Sequence, residues 1–133
     1  MSDNYKHSDI TEIIIKAFYN VYNQLGYGFI EKVYEKALLI ELKKFELDCV
    51  SQSQIQVFYD DIVVGIYIAD IIVENLVIVE IKAAASLCEE HEAQLTNYLR
   101  ATEIEVGLLL NFGRNPSFKR KVFSSEYKNH KIY

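Results

Sequence analysis

Cysteine and proline are scarce in this chain of 133 residues, with two of the first and one of the second. Cys49 and Cys88 are far apart and form no CxxC pair, which excludes a zinc knuckle or a dithiol redox motif. Free thiols suit a cytoplasmic protein. With the single Pro116, no internal repeat and no low-complexity linker, the chain reads as one domain over residues 1–133. No apolar run reaches the roughly 18 to 20 residues that span a bilayer. The longest, Ile62 to Val79, is broken by Gly65, Asp70, Glu74 and Asn75. The segment Met1-Ser2-Asp3-Asn4-Tyr5-Lys6 lacks a signal-peptide pattern, so the expectation is a cytoplasmic protein with no membrane partner.

Half of the residues are hydrophobic and a quarter are charged, as in a soluble globular protein. The net charge of −5 is unevenly spread. From Asn111 onward six basic residues (Arg114, Lys119, Arg120, Lys121, Lys128 and Lys131) face one acid, Glu126, a local charge of +5. Such asymmetry marks either a nucleic-acid contact at one end or a solvated Lys-rich segment.

The periodicity predicts ααβββαβ(β), a mixed sheet flanked by helices. Ser8 or Asp9 can cap a first helix, with Asp9 and Glu12 in capping-box spacing. Ile10, Ile13, Ile14, Ala17, Phe18, Val21, Tyr22 and Leu25 form its apolar face, and Gly26 ends it. A second helix runs from about Ile30 to Phe45, with Val33, Tyr34, Ala37, Leu38 and Leu42 inward. Strands follow at 51–59, 62–73 and 76–82, with a turn at Asp60-Asp61 and a bulge or bend at Gly65. A third helix over about Cys88 to Ala101, a buried strand over Glu105 to Asn111 and a short edge strand over Lys119 to Ser124 complete the order.

Within the Ile- and Val-rich stretch from Ile62 to Lys82 stand Asp70, Glu80 and Lys82. Runs of this kind read as strands buried on both faces, where an unpaired charge costs several kcal/mol. Glu80 and Lys82 share one face by alternation. Asp70 joins them only if the connecting loop is odd. A two-residue turn at Glu74-Asn75 sets Asp70 opposite Val79, on the other face. A three-residue loop, Glu74-Asn75-Leu76, pairs Val73 with Val77 and Asp70 with Glu80. Converging acids would suit a hard divalent cation, Mg2+ or Mn2+, held by Asp70, Glu80 and the Ile81 carbonyl, with Lys82 orienting or activating water. The plainer alternative is an Asp near a turn and an ordinary exposed Glu/Lys pair.

This arrangement resembles the PD-(D/E)XK nuclease superfamily, with Asp70 as the first acid, preceded by Ala69 where the motif has proline, and Glu80-Ile81-Lys82 as (D/E)xK. Within it, Gly28-Phe29-Ile30-Glu31-Lys32-Val33-Tyr34 resembles the GxxExxY signature, and Gln94-x-x-x-Tyr98 the QxxxY element of RecB-like nucleases. The likeness covers about Ile10 to Phe123. It implies a restriction-endonuclease-like fold and metal-dependent hydrolysis of nucleic-acid phosphodiesters, DNA above all. It also implies site roles for Asp70, Glu80, Lys82, Glu31 and Gln94. His91, Gln94 and Tyr98 share one helical face. With Tyr34 and the basic residues Arg114, Lys119, Arg120 and Lys121, His91 and Tyr98 form the expected nucleic-acid contact. Glu31 can equally be an acid favoured by the helix dipole, Tyr34 a core tyrosine and His91 a plain helix-face residue. A homodimer would supply a second DNA-contacting surface. The competing reading is a non-catalytic binding module on the same fold.

Overall fold

The structure, a computed structural model, describes residues 6–128. Its order is α1 (Ser8–Leu25), α2 (Glu31–Lys44), β1 (Cys49–Tyr59), β2 (Ile62–Val73), β3 (Val77–Lys82), α3 (Glu89–Arg100), β4 (Val106–Asn111) and β5 (Ser117–Val122), as the periodicity predicts. The strands lie in chain order across one sheet. Only β3 and β4 are parallel, and α3 makes the crossover between them. One sheet face packs on Ile14, Phe18 and Val21 of α1 and Tyr34, Leu38 and Leu42 of α2; the other packs on Leu95, Tyr98 and Leu99 of α3.

The start of α1 differs from expectation. Helical residues begin at Ser8 itself, and the N-cap position is His7, in the left-handed region at φ 55° with no side-chain cap. Asp9 instead lies in the first turn, where the helix dipole favours it. At the other end Gly26 (φ 70°) sends its N–H back to the Tyr22 carbonyl, as a C-terminal stop does.

The central strands β3 and β4 are buried on both faces. The first half of β2 is not: Ile62, Val64, Ile66, Tyr67 and Ile68 are exposed. The expectation of two-sided burial is corrected there because β3 pairs with β2 only at Val73↔Val77, Ile72↔Ile78 and Ile71↔Val79. Beyond that point β2 pairs with β1 alone, and residues 53–69 form an extended hairpin arm. A two-residue turn closes it, with Asp60 and Asp61 both at positive φ (50° and 63°). Val57 pairs with Gly65 but Phe58 with Val63, so Val64 is the extra residue of a bulge beside Gly65.

The connection between β2 and β3 decides the site. Val73 pairs with Val77, so the loop is Glu74-Asn75-Leu76, the odd length that aligns Asp70 with Glu80. Glu74 and Asn75 take φ of 52° and 55°. Glu74 is held in this costly conformation from both ends: its N–H donates to the Asp48 carbonyl, and its carboxylate accepts from the Asp48 N–H.

At Asp70 itself the alternation of β2 breaks. Ala69 packs with the α3 side of the core, whereas Ile71 packs with the α1/α2 side. Two residues of a regular strand that far apart share a face. The break continues into β1, where Gln52 sits between the pairs Ser51↔Ile71 and Ser53↔Ala69 at φ 52°. The local rotation lets the arm turn away from β3 and opens the sheet beside the two acids.

Candidate functional site

Where β2 leaves β3, the carboxylates take over from the backbone ladder. The Asp70 N–H donates to Glu80 Oε2 at 2.8 Å, and the Ile81 N–H donates to Asp70 Oδ2 at 2.8 Å. Each acid thus commits one oxygen to the other strand and keeps its second. Glu80 is 3% exposed. Burial pushes its carboxyl up to about 8; the Asp70 charge and, more weakly, Glu31 add to this, against the Asp70 N–H and Lys82. Glu31, the exposed first residue of α2, adds only this weak charge effect at Glu80.

Lys82 shares the Glu80 face, and its ammonium donates to Gln94 Oε1 of α3 at 3.2 Å. The acceptor is neutral, and Lys82 forms no salt bridge among the described residues. Its charge therefore stays available. Tyr98, one turn beyond Gln94, is buried. Its phenol is raised to about 12 by burial first, then by Glu80 and Asp70, with Gln94 bonding to it in opposition. Asp70, Glu80, Lys82, Gln94 and Tyr98 thus come together from β2, β3 and α3, where β2 parts from β3.

Oxygen donors dominate this edge: two carboxylates and, beside them, the Ile81 carbonyl. Among the described residues no group of three or more His, Cys, Asp or Glu side chains could hold a metal. The set fits a hard cation that takes one or two carboxylates and keeps its waters, and such an ion would relieve two acids that cannot both ionise cheaply.

Several expected contact residues lie elsewhere. Tyr34 is fully buried and stacked on Phe112 at 4.4 Å, so it contacts no nucleic acid. Its hydroxyl donates to the Gly26 carbonyl (2.6 Å) and accepts from the Phe29 N–H (3.2 Å), pinning the loop that presents Glu31. Gly28 in that loop has φ 111°, a conformation reserved for glycine. His91 turns its Nδ1 back to accept the Cys88 N–H at the start of α3. Arg120 leaves the basic group: its guanidinium donates to the Lys6 carbonyl. By alternation Lys119 and Lys121 face the other way, where Lys121 pairs with Glu92 of α3 at 2.5 Å. Arg114 stays exposed on the loop after β4, its guanidinium 5.2 Å from the Tyr27 ring. Lys131 lies outside the described residues, as do Met1 to Tyr5.

Two supporting residues carry no obvious signal in the sequence. Buried Asn111 clamps the chain just past Lys82, donating to the Ala84 carbonyl (3.0 Å) and accepting the Ala84 N–H (2.9 Å). Gly113 packs on the same peptide, where a Cβ would fall 2.0 Å from the Ala84 oxygen. An Asn at the end of a predicted strand, followed by Phe-Gly, is the only trace of this clamp.

A model of the PD-(D/E)XK nuclease superfamily matches residues 8–122. The chain belongs to this superfamily. Its backbone is similar to a solved structure, "Crystal structure of SSO0001", with 21% identity, a TM-score of 0.53 and 91% of this chain covered. The match spans 61% of that chain, and at this identity the likeness shows the fold alone. No match is found among curated proteins. The fold is restriction-endonuclease-like, and nucleases of this superfamily generally use divalent metals. No helix among the described residues is long and apolar enough to cross a membrane.

Proposed function

We propose that this protein is a metal-dependent nuclease that hydrolyses phosphodiester bonds, with DNA as substrate. The observation that carries the reading is the odd loop register, which aligns Asp70 with Glu80 and leaves Lys82 uncompensated beside them. Asp70, Glu80 and the Ile81 carbonyl would hold Mg2+ or Mn2+, which supplies a polarised water and charge neutralisation at the scissile phosphate. Lys82 orients the attacking water or offsets phosphate charge as it builds. Gln94 positions the Lys82 ammonium without cancelling it. Glu31 supports the site through its charge from the start of α2, and Arg114 and Lys119 meet the backbone phosphates.

Within the superfamily we assign the chain to the GxxExxY group. Gly28 and Tyr34 support this by acting together: glycine allows the turn before α2 and tyrosine locks it, with Glu31 next in the chain. The half of β2 without a β3 partner offers a second copy an apolar strand edge, which supports a homodimer. Two free cysteines agree with a cytoplasmic location.

The test is incubation of the purified protein with single- and double-stranded DNA and RNA in Mg2+, Mn2+ or EDTA, beside Asp70→Ala and Lys82→Ala. Cleavage in metal alone, lost in both variants, is expected. Cleavage that survives both substitutions refutes the site. Absence of both cleavage and metal binding would leave a binding module on the nuclease fold.

A further inference from the structure

A cleft of about 510 Å³ runs between the hairpin arm and α3, and Gln94 belongs to both the cleft and the acid cluster. Its walls are Val64 and Tyr67 from β2 and Ala93, Asn97 and Tyr98 from α3. None of the proposed catalytic steps uses it. The volume is that of a small-ligand site, and the walls are mainly apolar and aromatic with a few amides.

Tyr67 is the notable residue. It is 49% exposed, yet its ring is held from two sides. Its centroid lies 5.7 Å from that of Tyr98, and its Cε2 would be 3.3 Å from a Cβ at Gly65. The bulge and the missing side chain at Gly65 therefore seat the ring against the strand and leave an aromatic surface open to the cleft. Arg100 on the last turn of α3 and Glu90 on its first also line the cleft, and Lys82 stands behind Gln94, to which its ammonium is bonded. The side-chain amide of Asn97 can bond a base edge.

On these grounds we propose that the cleft takes one or two unpaired nucleotides of the strand to be cut, stacked on Tyr67, so that the preferred substrate is single-stranded or frayed. This rests on the nuclease reading for its catalytic consequence. The chemistry discriminates: a duplex hides its base faces in the stack and presents phosphates, which an apolar wall does not favour. An unpaired base offers a flat π-face for an aromatic ring and phosphates on either side for Lys82 and Arg100.

The experiment is fluorescence anisotropy with the full chain in EDTA, using a labelled single-stranded oligonucleotide and a duplex of the same length. A second single strand carries 2-aminopurine to report stacking. We expect tighter binding of the single strand than of the duplex, with 2-aminopurine quenched on binding. Tyr67→Ala should weaken single-strand binding by about 5- to 140-fold while leaving the duplex unaffected. Tyr67→Phe should bind as the wild type does. Ala93→Glu, which places an acid on the opposite wall, should also weaken the single strand. Equal affinity for the two nucleic acids, or full single-strand affinity in both Tyr67→Ala and Ala93→Glu, overturns the proposal. Metal-dependent cleavage that neither variant alters sinks the cleft and spares the nuclease reading. Tyr67-dependent single-strand binding without any cleavage does the reverse.

Discussion

Replacing Glu80 by Gln should make the protein more stable at neutral pH. The carboxyl is 3% exposed, and burial with the neighbouring Asp70 raises it from 4.5 to about 8. In the unfolded chain the same group ionises at its ordinary value. The native state therefore holds a proton that the unfolded state has released, so stability falls as pH rises between those values and levels off above about 8. A displacement of that size removes about 3 kcal/mol between pH 4 and pH 7, a large share of the roughly 5 to 15 kcal/mol of a typical domain. The amide of Glu80→Gln keeps an oxygen for the Asp70 N–H and carries no charge. Urea midpoints measured from pH 4 to pH 9 in EDTA should fall for the wild type and stay nearly level for the variant, with the curves meeting near pH 4. Mg2+ should stabilise the wild type at pH 8 by about 2.7 kcal/mol at a hundredfold excess over Kd, read as a higher midpoint, and should have little effect on the variant. Parallel pH profiles for the two proteins would refute the account of Glu80 as an acid held neutral by burial.

Gly113→Ala forces a Cβ onto the Ala84 oxygen, backbone against backbone, and should cost about 3 kcal/mol and displace the chain after Lys82; thermal unfolding and cleavage rate read both effects. Tyr34→Phe strands the Phe29 N–H and the Gly26 carbonyl and should cost about 1 to 3 kcal/mol in chemical denaturation, the loss arising at a residue with no exposed surface. Glu105 is raised by burial but more strongly lowered by the Ser125 N–H and the Lys6 ammonium, which together bring its carboxyl to about 2. Its contribution is complete above the ordinary carboxylate value and fades as pH falls toward 2, so acid unfolding of Glu105→Gln should lack that part of the transition.

Much of this protein is written locally. The i, i+3, i+4 spacing of Ile14, Ala17, Phe18 and Val21 specifies a one-faced helix whatever it packs on, and all four are buried, with Thr11 beside them. Alternation likewise put Glu80 and Lys82 together, and with an odd loop it brought Asp70 alongside. The burial of Tyr34 was legible from its helical spacing, but its partners and those of Arg120 were not. A basic residue in a basic strand reads as a surface group until its partner is known. Gly26 and Phe29 are local partners of Tyr34, whereas Phe112 and Lys6 come from far along the chain.

The sequence by itself determined the order of elements, the positions of the three charges in the β run and the two loop lengths between which the site hung. Tertiary structure chose between them. The Asp48 clamp on Glu74 stabilises the left-handed loop that makes the register odd, and the rotation at Gln52 and Asp70 turns the arm away from β3. That departure exposes Ile62 to Ile68, which composition alone assigns to a core, and it opens both the carboxylate edge and the cleft beside α3. Periodicity records which face of an element is apolar; it carries no record of where a strand parts from its neighbour, because that depends on pairings with residues far away in the chain.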